Sequence, residues 1–135
     1  MTKVSDFYEL IIETLNNNQT FTFKIHGTSM LPLFKDRTKV KLKKIDEINK
    51  NDIIFYKRGD SYVLHRVIKV DGDNLIFAGD HQIVKENVSK DSCFAKVVSY
   101  YKNDVEKQLK GFKYNLYVFL LKFKVVRWFY IKCFK

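Results

Sequence analysis

The chain has 135 residues, of which 46% are hydrophobic and 16% aromatic, enough to bury one globular core and too apolar for a disordered chain. Its net charge of +10 is concentrated at one end, because residues 107–135 hold eight Lys or Arg and no Asp or Glu. A nearly neutral remainder argues against a nucleic-acid-binding core, and the basic end argues for contact with an anionic surface.

In chain order, Val4, Phe7, Tyr8, Ile11, Ile12 and Leu15 recur at helical spacing and predict a short amphipathic helix over 5–15, ended by Asn16-Asn17-Asn18. Thr20–Ile25 then alternates, with Phe21, Phe23 and Ile25 on one side. That strand delivers Gly27-Thr28-Ser29-Met30-Leu31-Pro32, which contains the only proline in the chain. A serine between a glycine and a turn-setting proline is placed to present its hydroxyl, and Ser29 is the candidate nucleophile; the competing role is that of an ordinary turn or cap serine. Lys39–Leu42 alternates again, and Asp52–Tyr56, apolar on both faces, reads as a buried strand. A turn over 57–61 leads into the strand Tyr62–Val70, which carries His65 and Arg66. The turn Asp71–Asn74, a short strand Leu75–Ala78, the loop Gly79-Asp80-His81-Gln82, a polar segment 85–91 and a last strand Cys93–Tyr101 complete the series. Turn signals at this spacing predict a mainly β domain. The expected organisation is an N-terminal helix (1–19), a catalytic β domain (20–105) and a basic amphipathic C-terminal tail (106–135).

Acyl-transfer chemistry needs a hydroxyl, a base within reach of its proton and a group that orients the base. Ser29 can supply the first. His65, between Leu64 and Val67, can supply the second or be a hydrogen-bonded structural histidine. Cys93 and Cys133 match no metal or redox spacing and read as ordinary thiols, so no metal or other cofactor is expected.

Taken in order, Gly27-x-Ser29-Met30-x-Pro32, Asn51-Asp52-Ile53-Ile54, His65-Arg66-Val67 and Gly79-Asp80 resemble the signal peptidase I family over roughly Phe21–Tyr101. The resemblance implies the family's β fold, shared with LexA-type repressors, and serine endopeptidase activity. A histidine where the common bacterial branch has a lysine makes the chain similar to the archaeal, endoplasmic-reticulum and spore-former type. Carried over by position, Ser29 is the nucleophile, His65 the base and Asp80 the first choice of orienting acid, with Glu86 as the alternative. The Ser29 backbone N–H is the expected oxyanion donor. Gly27 stands where some members have a second hydroxyl donor, so that donor is not carried over. Met30 is expected as a cleft wall or core residue, His26 as structural and His81 as a reserve base. The substrate implied is a peptide precursor with small residues one and three positions before the cut.

No run reaches the ~18 uncharged apolar residues of a spanning helix, and the N-terminus lacks a signal-peptide core. From Tyr114 to Phe134 aromatic and aliphatic residues interleave with Lys and Arg, which suits an interfacial helix carrying Trp128, Tyr114, Tyr117 and Tyr130 as anchors. On a helix Lys113, Lys124, Arg127 and Lys135 share an arc, with Lys122 opposite. Peripheral association with an anionic membrane, on its cytoplasmic side, is therefore expected; packing of the tail on the β core is the competing outcome. Two other functions compete with the peptidase: a non-catalytic β module that binds a partner or membrane, and a self-cleaving regulator. The second is disfavoured by the histidine and by the short stretch before the first strand.

Overall fold

The computed structural model describes residues 4–59, 61–82, 84–123 and 132, with side chains from residue 9 onward. Helix α1 (Val4–Asn16) is followed by β1 (Phe21–Lys24), β2 (Lys39–Lys44), β3 (Ile53–Arg58), β4 (Ser61–Asp71), β5 (Asn74–Ala78), β6 (Glu86–Ser89), β7 (Cys93–Lys102) and β8 (Val105–Gln108). Helix α2 (Phe112–Leu120) comes last. The strands form one antiparallel sheet in the order β1-β2-β7-β3-β4-β5-β6, with β8 added to β7. The mainly β architecture expected from turn spacing is present, with a helix towards each end.

Two strands lie where the sequence pattern gives none. β6 falls in the polar segment 85–91 and has the sequence Glu-Asn-Val-Ser, held by register pairing with β5 rather than by an apolar stripe. β8 pairs Ser99–Lys102 of β7, so residue 106, expected to begin the tail, lies inside a β hairpin. Its Glu106 reaches across to Lys41 of β2 at 3.1 Å, a contact between residues too far apart in sequence for local patterning to reveal.

The core divides by strand alternation. Four successive residues of β3, Ile53–Tyr56, are buried. Ile53 and Phe55 pack with Leu64, Val40, Leu42, Met30, Phe34 and the α1 residues Ile11 and Leu15. Ile54 and Tyr56 pack on the opposite face with Val67, Leu75 and Phe77, where Val63 also lies. On β4 the same two-residue period sends His65, between Val63 and Val67, to this second face and Arg66, after Leu64, to the first. Each fully buried aliphatic side chain of these clusters contributes about 1.5–3 kcal/mol.

Helix α2 is two-sided as well. Tyr114 and Tyr117 turn towards the domain, where their hydroxyls bond Arg66 and Asp80, and Leu121 beyond its end is buried. Phe112, Leu116, Phe119 and Phe123 are exposed. At about 100° per residue these four share one narrow arc opposite the inward tyrosines. Tyr114 and Tyr117, expected as lipid anchors, bond a buried ion pair instead, because their spacing puts both on the domain side of the helix. The other expected anchors, Trp128 and Tyr130, and the basic positions Lys124, Arg127 and Lys135 lie outside the described residues. No helix among the described residues is long and apolar enough to cross a membrane.

Candidate active site

The Ser29 turn is pinned from both sides. Gly27 adopts φ 102°, a conformation that glycine accepts without strain, and its N–H donates to Asp36 Oδ1 at 2.8 Å. The buried side chains of Met30 and Phe34 anchor the turn in the first core cluster. The Ser29 carbonyl accepts a hydrogen bond from the His81 N–H at 2.9 Å. A Cβ on Gly79 would overlap that carbonyl oxygen and stand 3.1 Å from Ser29 Cβ, so glycine is what lets the chain after β5 approach the serine so closely. Among the described residues neither the hydroxyl nor the N–H of Ser29 makes a hydrogen bond.

His65 arrives from β4. Arg66 pairs with Ala78 across the β4–β5 ladder, so one further step sets His65 opposite Gly79, the residue against which Ser29 rests. The imidazole is 4% exposed and lines a cavity of about 330 Å³ together with Arg58, Phe77, His81, Gln82, Val84 and Glu86. Ser29 does not line that cavity; it adjoins it through Gly79 and His81. No Ser29–His65 hydrogen bond is present. Instead His65 Nδ1 lies 3.1 Å from the Tyr56 hydroxyl, which also bonds Glu86 Oε1. Burial, reinforced by the Arg58 charge and opposed by Glu86 and Asp80, pushes the imidazole down to about 4, so the ring is neutral at ordinary pH. A larger cavity, about 560 Å³, lies between Pro32–Lys39 and Tyr100–Asp104 and holds neither residue.

The two acids have different company. Asp80 is fully buried and receives Arg66 Nε at 2.8 Å, Arg66 Nη2 at 2.9 Å and the Tyr117 hydroxyl at 2.7 Å. Its carboxylate is engaged on the Arg66 side of the sheet and makes no hydrogen bond to His65. Glu86 Oε1 lies 3.8 Å from His65 Nδ1, and its carboxylate takes Arg58 Nε at 2.9 Å and Arg58 Nη2 at 2.5 Å. Burial raises the Glu86 carboxyl, but the bonds from Arg58 and Tyr56 outweigh it and hold the group below the usual carboxylate range. The expected order of the acids, Asp80 before Glu86, is thus reversed in distance from the Nδ1 edge of the base.

Met30 belongs to the core and does not line the His65 cavity. His26 is exposed. His81 does line the cavity, and its Nδ1 is buried without a hydrogen-bond partner. Tyr56 and Arg58 were not among the sequence candidates. The signal for them is the β3–β4 hairpin: its register, Ile54 opposite His65 and Tyr56 opposite Val63, puts Tyr56 diagonal to His65 on the same face. No group of three metal-ligating side chains occurs among the described residues. Burial pushes the Cys93 thiol up to about 11, which leaves it unreactive.

The single antiparallel sheet with a helix towards each end fits the β domains of serine-peptidase-type proteins. The Peptidase S24-like family matches residues 1–98, and the chain belongs to that family, within the superfamily that joins LexA-like proteins and signal peptidase I. Comparison with curated proteins finds no match.

Proposed function

We propose that the chain is a serine endopeptidase that cuts a leader or signal segment from peptide precursors, with Ser29 as nucleophile, His65 as general base and Glu86 as the acid serving His65. The observation that supports this best is the neutral, buried imidazole at a cavity, set opposite the glycine against which the Ser29 turn is held. In the reaction Ser29 Oγ attacks the scissile carbonyl carbon while His65 takes the hydroxyl proton. The carbonyl oxygen becomes an oxyanion and is met by the unpaired Ser29 N–H. Collapse breaks the C–N bond, and His65 returns the proton to the departing amine; water then repeats the sequence to release the acyl group. The substrate complex must bring hydroxyl and imidazole to about 2.6–3.2 Å. Asp80 is left to structure by its bonds to Arg66 and Tyr117.

The test is cleavage of precursor peptides that carry small residues one and three positions before the cut. Ser29→Ala and His65→Ala are each expected to abolish turnover. Full activity in either variant would overturn the assignment, and a folded wild-type chain that cleaves no precursor would favour the non-catalytic binding module.

We also infer peripheral attachment to an anionic bilayer on its cytoplasmic side. The outward stripe of Phe112, Leu116, Phe119 and Phe123 is flanked by exposed Lys113 and Lys122, inside a segment with eight basic and no acidic residues. Replacing Lys113 and Lys122 by Glu is expected to weaken binding to anionic vesicles by about 1 kcal/mol or more per position. Equal binding to neutral vesicles would refute it.

A further inference from the structure

Tyr56 is fully buried, stacked on Phe77 at 4.4 Å, and its hydroxyl stands between the base and the acid of the site. A phenol has one proton to give. On one side is the Glu86 carboxylate, an acceptor with nothing to donate when ionised; on the other is Nδ1 of His65 at 3.1 Å. Both contacts can be satisfied in only one way: the phenol donates to Glu86 and its oxygen accepts a proton from Nδ1. If Nδ1 bore a lone pair, it would face the phenol lone pairs without a shared hydrogen, at a cost that buried groups rarely sustain. The neutral ring is therefore the Nδ1–H tautomer, and the lone pair needed by a base stands at Nε2.

We propose that Tyr56 is the positioning residue of the His65 base: its hydroxyl fixes the Nδ1–H tautomer and carries the influence of the Glu86 carboxylate to the ring. The chain of contacts runs from His65 through Tyr56 to Glu86 and ends on Arg58, which holds the carboxylate with two bonds. When His65 takes the serine proton at Nε2, the Nδ1–H stays in place and the phenol keeps its own proton. The hydroxyl dipole, aligned towards Glu86, stabilises the positive ring without transferring a proton. The catalytic meaning of this arrangement rests on the peptidase reading; the tautomer does not.

The experiment is nitrogen-15 NMR of the imidazole in the full chain at neutral pH, alongside precursor cleavage. Wild-type His65 is expected in the Nδ1–H form. In Tyr56→Phe, which keeps the ring stacked on Phe77, that form is expected to lose its dominance, and kcat to fall about ten- to hundredfold with KM unchanged. Glu86→Ala supplies an independent arm that leaves the buried ring intact: the freed phenol turns its proton to Nδ1, and the tautomer flips to Nε2–H. A purely structural tyrosine would leave the tautomer unmoved in both variants, which would overturn the proposal, as would a wild-type His65 found in the Nε2–H form. An Nδ1–H histidine in a chain that cuts nothing would retire the peptidase reading and leave this assignment standing.

Discussion

Two arginine–carboxylate pairs flank the strand that carries His65, and water separates their roles. Arg66–Asp80 is sealed, with side-chain exposures of 1% and 0%. Arg58–Glu86 lies at the rim of the His65 cavity, with exposures of 51% and 29%. The chemistry is the same; the surroundings are not. In the sealed pair all three guanidinium nitrogens and both carboxylate oxygens are hydrogen-bonded, to the partner, to Tyr114, to Tyr117 or to the Asn51 carbonyl, as a desolvated ion pair requires. The pair locks β4 to the turn after β5 and to α2, and so fixes the backbone on which His65 stands. The rim pair keeps a carboxylate 3.8 Å from Nδ1 and partly open to solvent at the cavity.

The largest effect expected from breaking this contrast is on stability. Asp80→Asn leaves the Arg66 guanidinium buried without a counter-charge, and a loss of about 3–5 kcal/mol is expected in denaturant unfolding. An Asp80→Asn protein of unchanged stability that has lost cleavage would restore Asp80 as the orienting acid. Glu86→Gln should act the other way. Unfolding free energy should move by no more than about 1 kcal/mol, as for a solvent-screened pair, while kcat falls about tenfold, equivalent to about 1.4 kcal/mol. Equal loss of stability in the two variants would erase the distinction.

The smallest effect lies in pH dependence. The ring of His65 faces Arg58, Glu86, His81 and the Tyr56 hydroxyl, while Asp80 acts on it from the Arg66 side of the sheet, and burial with Arg58 lowers its folded pKa from 6.5 to about 4. The unfolded chain therefore binds more protons between those values, and the stability supplied by the neutral ring is complete above pH 6.5 and lost as pH falls towards 4. The acid limb of kcat/KM for the free enzyme should likewise fall near pH 4 rather than 6.5. Arg58→Gln removes a repelling charge and should shift that limb upward. A limb at 6.5 in the wild-type chain would mean that the ring is not desolvated as described.

Much of the frame is legible from local pattern. The α1 stripe and the alternation through β1 and β2 follow from periods of about 3.6 and 2 residues, and the turns follow from their Gly, Asn and Asp residues. The same parity places His65 and Arg66 on opposite faces without any structure. β6 was missed because it has little apolar patterning of its own and exists through its pairing with β5. The same lack of pattern hides the position of Glu86, which reaches the His65 face as a strand residue opposite Phe77 rather than as a loop carboxylate.

The sequence by itself determined the alternating core, the exposed serine turn and a histidine beside an arginine on a buried strand, because those depend on neighbours a few residues apart. Only the tertiary structure decided which carboxylate meets which cation. Asp80 and Glu86 are six positions apart, yet one is drawn to Arg66, Tyr114 and Tyr117 and the other to Arg58 and Tyr56. Those partners come from three separate elements, β3, β4 and α2, and their convergence depends on sheet order and helix docking, which no local period encodes.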